Sequence, residues 1–275
     1  MYLDGKLISE ETAKNYANRA FLYGDAVRVY FFFKDKKLIM AEEIYFNLMS
    51  SMRKMRMNIP LSFTLEFFVE QFNQAIQERG LETGRISVIV FRKKDIQFTS
   101  KTPVHFAYTL EEDLHWYLIQ RDIHLDIIKE VSVNTHLLSN IYTHAPENTY
   151  AEIYAQDNDL DDVILLNPNK RIARTIFGNL LFLEGKTLKI PKQSEGAFIS
   201  PLMENFVTYL HKNRLADIEQ AEMIAFESQK AEEILMISDE KGLFSVSQIR
   251  NKTFKNERFQ DMVAQWGKHL LSQPF

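Results

Sequence analysis

The sequence predicts an α+β fold built as two blocks, each mixing strands with helices, with a cleft between them. Three observations carry this. Apolar residues recur at helical spacing over 41–79, compact apolar runs stand at Ile86–Phe91 and Val163–Leu166, and the polar, acidic stretch Leu110-Glu-Glu-Asp-Leu-His115 separates the blocks. The expected division is an N-terminal α+β domain over 1–112, an inter-domain segment over 113–123 and a C-terminal α+β domain over 124–275.

In the first block Ile44, Leu48 and Met52 repeat every four residues with Met40 leading in, so 41–56 reads as an amphipathic helix that Pro60 closes. Leu65, Phe68, Phe72 and Ile76 repeat the pattern, and Gly80 supplies a C-terminal stop. Ile86–Phe91, with Val88 and Val90, reads as a buried strand and 103–110 as another. Trp116–Ile119 reads as the start of a further strand. In the second block Val163–Leu166 is a buried strand followed by the turn Asn167-Pro168-Asn169. A hairpin follows, Leu180–Leu183 and Thr187–Ile190, turning at Glu184-Gly185. Leu202, Phe206 and Leu210 mark a helix, Ile234–Ile237 a strand, and 254–272 a terminal helix.

Composition narrows the function classes. The chain has 275 residues, 45% hydrophobic and 25% charged, as globular domains do. A net charge of −4 gives no electrostatic footprint for nucleic acid or an anionic membrane, and Arg53, Lys54 and Arg56 read as a solvated helix face. With no cysteine, disulfides, thiolate metal sites and a cysteine nucleophile are excluded. No apolar stretch approaches the roughly 18 residues of a membrane span, so a soluble cytoplasmic protein is expected. The 7 histidines show no metal-ligand spacing. Neither a Gly-x-Ser-x-Gly elbow nor a Gly-x-x-x-x-Gly-Lys loop occurs. Glycine occurs 9 times, where average usage would give roughly 19. A loop that cradles phosphate with its backbone usually needs glycine, so none is expected.

The string Asn18-Arg-Ala-Phe-Leu-Tyr-Gly-Asp25 resembles the opening signature of the class IV, fold-type IV, pyridoxal-phosphate aminotransferases and lyases. The likeness continues through Glu42-Glu43 and Leu48, Asn58-Ile-Pro60, Arg85 to Arg92, Leu138-Ser-Asn-Ile141, Asp161-Asp162, Ile164 to Asn167, Arg171-Ile-Ala173 to Asn179, and Ile234 to Gly242. Branched-chain and D-amino-acid aminotransferases and aminodeoxychorismate lyases are the relatives it suggests. The resemblance implies a two-domain fold with the cofactor in the cleft, usually as a homodimer.

It also implies four features that tether and tune the cofactor, and this chain departs at each. A lysine amine should form the Schiff base. Counting from Leu138-Ser-Asn-Ile141 puts Tyr142 there, whereas counting back from Asp161-Asp162 puts Ile141 there; neither has an amine. A His-x-x-Arg-Leu turn should bring an arginine to the cofactor phosphate, but the matching string is Ile44-Tyr-Phe-Asn47-Leu48, with Asn47 in the arginine's place. Arg53 lies about 120° around the helix from Asn47 and does not replace it. A Gly-Val/Ile-Thr/Met-Arg loop should offer backbone N–H groups to the phosphate. The matching Ser200-Pro-Leu-Met203 has Ser200 for the glycine, and Pro201 has no N–H, although it favours a helix start. A glutamate five residues before Asn179 should keep the pyridine nitrogen protonated; Arg174 stands there, and a cation opposes that. The opening signature departs too, with Ala26-Val-Arg28-Val for the usual Gly-Val-Phe-Glu.

Three readings follow. The first is a non-catalytic relative that binds a partner or small molecule, with no cofactor expected. The second is an active pyridoxal-phosphate-dependent transaminase or aminodeoxychorismate-lyase-like enzyme that places its amine unconventionally. The third is a cofactor-independent enzyme in the same cleft, using Tyr142 and Arg174. Arg171 and Arg174, with Arg85 and Arg92, would attract a small anionic ligand. The plainer alternative has Arg171 capping a turn and Arg85 opening a strand, both exposed.

Overall fold

The computed structural model describes residues 1–16, 18–93 and 99–272. Its first part is a four-stranded antiparallel sheet with two helices on one face. The strands are β3 (Ala26–Lys34), β4 (Lys37–Ile39), β5 (Thr83–Arg92) and β6 (Val104–Glu112), in the order β4-β3-β5-β6. The helices are α3 (Ala41–Lys54) and α4 (Leu65–Arg79). They form where the periodicity places them. α3 buries Ile44, Leu48 and Met52; α4 buries Phe68, Phe72 and Ile76 and ends on Gly80 in the left-handed conformation. Ahead of the sheet lie a two-stranded hairpin, β1 (Tyr2–Leu3) and β2 (Lys6–Leu7), and the short helices α1 (Glu10–Tyr16) and α2 (Arg19–Tyr23).

Strand β3 explains how the two parts meet. Side chains alternate across a strand, so Phe31 turns to Phe72 of α4 while Tyr30 and Phe32 turn the other way. Phe32 stacks on Trp116, with ring centroids 4.5 Å apart, and Tyr30 meets Tyr142 edge-on at 5.9 Å. Both faces of β3 are therefore buried, and apolar residues can run uninterrupted from Val29 to Phe33. Trp116 corrects one expectation. Residues 114–117 form a turn rather than a strand, and β7 (Ile119–Ser132) begins at Ile119. The indole is fully buried against Phe32 and donates Nε1–H to Phe33 O at 3.3 Å, so packing against the first sheet holds this segment out of β geometry.

The second part is a nine-stranded mixed sheet in the order β12-β11-β10-β13-β14-β7-β8-β9, with β15 (Lys252–Thr253) paired to β14. Its strands are β7, β8 (Asp162–Leu166), β9 (Ile172–Thr175), β10 (Asn179–Glu184), β11 (Thr187–Pro191), β12 (Asp217–Ala221), β13 (Glu233–Ser238) and β14 (Gly242–Ile249). The expected hairpin is β10–β11. The sheet curls until its ends meet: Ile172 N–H of β9 donates to Met223 O just beyond β12 at 2.7 Å, and Arg171 bridges Ile224. Three helices pack on it, α5 (Pro146–Asp157), α6 (Pro201–Lys212) and α7 (Glu257–Ser272). One apolar cluster runs from Val27 and Phe68 in the first part to Leu181, Phe206 and Trp266 in the second. Among the described residues no helix is long and apolar enough to cross a membrane.

Arg85 corrects a second expectation. It sits within β5 with its side chain 16% exposed, facing Glu111 at 3.4 Å and Asp113 at 3.7 Å, rather than in solvent.

Candidate functional site

A cavity of about 1130 Å³ opens where the two parts meet. One wall comes from α2 and β3. Asn18 caps α2 by accepting Phe21 N–H at 2.9 Å, and Gly24 ends it at φ 61°. A Cβ at Gly24 would collide with His144, so the close approach of these two segments requires glycine. Beyond it Asp25 is buried between two guanidinium groups. Arg19 Nε donates to it at 2.7 Å; Arg92 donates to its other oxygen and also to Met55 O at the end of α3. This cluster ties the entrance of β3, the end of β5 and the end of α3 together. The alternation of β3 then aims Arg28 and Tyr30 into the cavity.

The facing wall is the segment 138–145 backed by residues 193–199. Asn140 Nδ2 donates to Gln193 O at 2.6 Å and Ala197 O at 2.7 Å, while Asn140 O accepts from Ile199 N–H at 2.8 Å. Tyr142 O accepts from Arg28 N–H at 2.9 Å, and Thr143 Oγ1 donates to Ala26 O at 2.8 Å, which docks this wall on β3. The Tyr142 ring lies on Phe198, with centroids 4.2 Å apart and planes at 17°. The Arg174 guanidinium carbon sits 4.1 Å from the same ring centroid. Two groups this close to one ring must occupy its opposite faces, so Phe198 is held between a phenol and a cation.

Arg174, on β9, is almost fully buried. It donates to Thr175 O at 2.9 Å, to Ile176 O and to Asn148 Oδ1 at 2.9 Å, and its Nε has no partner. Burial lowers its pKa to about 10, against the opposing pull of Glu147, Tyr142 and Asp162. The Tyr142 hydroxyl is buried without a hydrogen-bond partner, and burial, then Asp239, push its pKa well above the ordinary phenol value. Burial likewise raises Tyr30 above that value. These phenols stay protonated at neutral pH, and neither hydroxyl has a hydrogen-bond partner among the described residues.

The expected site residues divide. Tyr142, Ile141 and Arg174 line the cavity. Ile141 belongs to the apolar core that continues behind it, whereas Tyr142 presents its ring toward Tyr30 and Phe198. Asn47, Asn179, Ser200 and Pro201 do not line it. Asn47 is half-buried on α3. Asn179 works behind the wall: its side chain donates to Phe198 O and accepts from Phe198 N–H, each at 2.9 Å, and so fixes the ring that Tyr142 and Arg174 cover. Ser200 caps α6, its Oγ accepting Met203 N–H at 3.1 Å, and Pro201 fills the first helical position. The same hydroxyl donates to Asp239 Oδ1 at 2.6 Å.

The sequence predicts Lys54 in solvent. It is half-buried, lines the cavity with Met55 and Arg56, and is the lysine in that lining; burial lowers its pKa. Seven residues after Asn47, it lies within about 20° of the same helix face, two turns on. Phe198, Asp239 and Asn140 escaped the sequence reading because their roles come from distant segments. The ordinary signal of each is a core aromatic or a loop polar residue.

The fit to pyridoxal phosphate can be tested on these atoms. Neither Ile141 nor Tyr142 offers an amine, and the start of α6 is occupied by the chain's own carboxyl. Those two positions offer the group no tether, and Lys54 brings the one amine of the described cavity lining.

A family model described as amino-transferase class IV matches residues 25–249. No curated protein matches the sequence. Among solved structures, the fold is similar to a branched-chain aminotransferase from Thermoproteus uzoniensis at TM-score 0.84 and 15% identity, covering 98% of this chain and 94% of that one. It is also similar to a Legionella pneumophila protein described as a 4-amino-4-deoxychorismate lyase, at TM-score 0.82 and 17% identity, covering 92% and 93%. A third is a branched-chain amino acid aminotransferase from Thermobaculum terrenum in its PLP form, at TM-score 0.81 and 13% identity, covering 92% and 88%.

Proposed function

We propose that this chain, which belongs to the class IV aminotransferase family, is a non-catalytic member that uses the inter-sheet cavity to bind a small molecule without a covalent tether. The observation that carries the reading is Tyr142. It stands at one of the two positions, with Ile141, where the resemblance puts the amine; its ring is stacked on Phe198, and its hydroxyl is buried without a partner. A buried polar atom left unpaired costs about 1–3 kcal/mol. Both atoms are closed to solvent in the free protein, so a ligand recovers that cost by displacing the side chains that cover Tyr142 Oη and Arg174 Nε, and Arg174 favours an anionic one.

The family position implies a homodimer, and the composition a cytoplasmic protein. Residues 1–112 and 124–275 are its two domains in this reading, joined by 113–123. Titrating the purified protein with pyridoxal phosphate and reducing with borohydride tests the central claim. The expected result is no aldimine absorbance band and no stoichiometric adduct on one lysine. A single adduct would instead identify an active enzyme with a displaced amine, and Lys54 is the residue to inspect because it alone brings an amine to the described cavity lining. A thermal-shift screen of small carboxylic acids tests the binding half. At least one acid should raise the midpoint of the wild type and lose that effect in Tyr142→Ala.

A further inference from the structure

The first turn of α6 is occupied from inside. Asp239 follows β13 and is 3% exposed. Its Oδ1 accepts the Ser200 hydroxyl at 2.6 Å, and the Leu202 backbone N–H in the first turn of α6 favours the charged form of the carboxyl. Among the described residues no lysine, arginine or histidine forms an ion pair with it, and Glu204 is the charged neighbour that acts on it. A buried carboxyl without a counter-ion is expensive. What offsets part of the cost here is the start of a 12-residue helix, with the Leu202 N–H and its partial positive charge. The arrangement has the chemistry of an anion site whose anion is part of the chain.

The access route is closed as well. Ser200, Pro201, Leu202 and Met203 are all buried. The cavity lining includes Phe198 but nothing from Ile199 to Met203, and the Tyr142–Phe198 stack forms the cavity wall on this side. Pro201 removes one N–H that an external anion would need.

We infer that Asp239 is a built-in substitute for an external anion at the start of α6, so that the chain excludes phosphate from this position and takes ligands through groups other than a phosphate. Asp239 and Ser200 are positioning residues: they hold the helix start and the stacked wall, and touch no ligand. The assignment goes beyond the absence of an amine, since a chain could lose its lysine and still hold a phosphate.

Inorganic phosphate is the probe. Thermal unfolding is followed with phosphate and with chloride at matched ionic strength, for the wild type and for Asp239→Ala. The wild type should show no phosphate-specific shift. The variant should gain one of several degrees, with phosphate-dependent changes at the Leu202 and Met203 amide resonances and binding at least about ten-fold tighter than in the wild type. An equal response in both proteins, or a folded variant without any, overturns the assignment. Should Asp239→Ala not fold, carbon NMR of the wild-type Asp239 carboxyl decides. Tens of millimolar phosphate should leave its titration unmoved, and a phosphate-dependent displacement overturns the assignment. Phosphate has no aldehyde, so these outcomes are separate from the borohydride test of the tether.

Discussion

Asp25 and Asp239 are both buried beside the cavity walls, and the chain holds them in opposite ways. Asp25 lies between Arg19 and Arg92, and so joins three segments through ion pairs. Asp239 has a serine hydroxyl and a helix start but no cation, and burial raises its pKa to about 7 even though those hydrogen bonds pull it down. The first acid is a structural strut that needs its charge. The second is a buried acid held at the helix start by hydrogen bonds instead of a counter-ion, and burial raises its pKa. The same residue type thus serves two roles set by what surrounds it.

The comparison can be broken by substitution. Asp25→Ala should have the largest effect, because it removes the buried acid that Arg19 and Arg92 share. Breaking a buried pair in this way costs about 3–5 kcal/mol, read as a lower urea midpoint. Asp239→Asn should act chiefly on pH dependence. The unfolded acid releases its proton near 3.8 and the folded one near 7, so the native state binds more protons across that window. Its contribution to stability is therefore complete below roughly pH 4, is lost as pH rises through about 7, and stays flat above. The asparagine variant should lose a decline on the order of 4 kcal/mol between those limits, measured by denaturation at pH 4 and pH 8. Asp162, raised by burial to about 6, acts with the same sign and leaves a smaller slope in the variant.

Phe198→Leu sharpens the contrast by keeping Asp239 while removing the ring between Tyr142 and Arg174. The lost stacking and cation–π contacts should cost about 1–2 kcal/mol in the same assay. Tyr142→Phe should have the smallest effect. Its hydroxyl makes no hydrogen bond in the protein, so stability should stay within about 1 kcal/mol of the wild type or rise slightly. A carboxylic acid that stabilises the wild type should nonetheless lose its effect in this variant.

Much of the fold was legible from side-chain periodicity. Ile44, Leu48 and Met52 bury one face of α3 at the spacing that announced it, and Gly80 ends α4 in the left-handed conformation. These are local rules, enforced by helix geometry and backbone sterics. The segment 116–119 was misread because Trp116 and Tyr117 look like strand residues in isolation, while the partner that decides their conformation, Phe32, lies far away in sequence. Lys54 was misread for a related reason. A charged residue near a helix end looks solvated until the cavity wall it joins is in place.

For the site, the sequence alone determined what is absent: no amine at position 141 or 142, no cysteine, and Pro201 without an N–H where the matching motif needs one. Side-chain chemistry cannot be changed by folding. What replaces those groups was decided only by tertiary structure. The Phe198 sandwich, the Asn179 clasp behind it and the Asp239 carboxyl at the start of α6 join β9, β10, β13 and α6 across tens of residues. Hydrogen bonds and stacking act over a few ångströms, so no spacing along the chain records them.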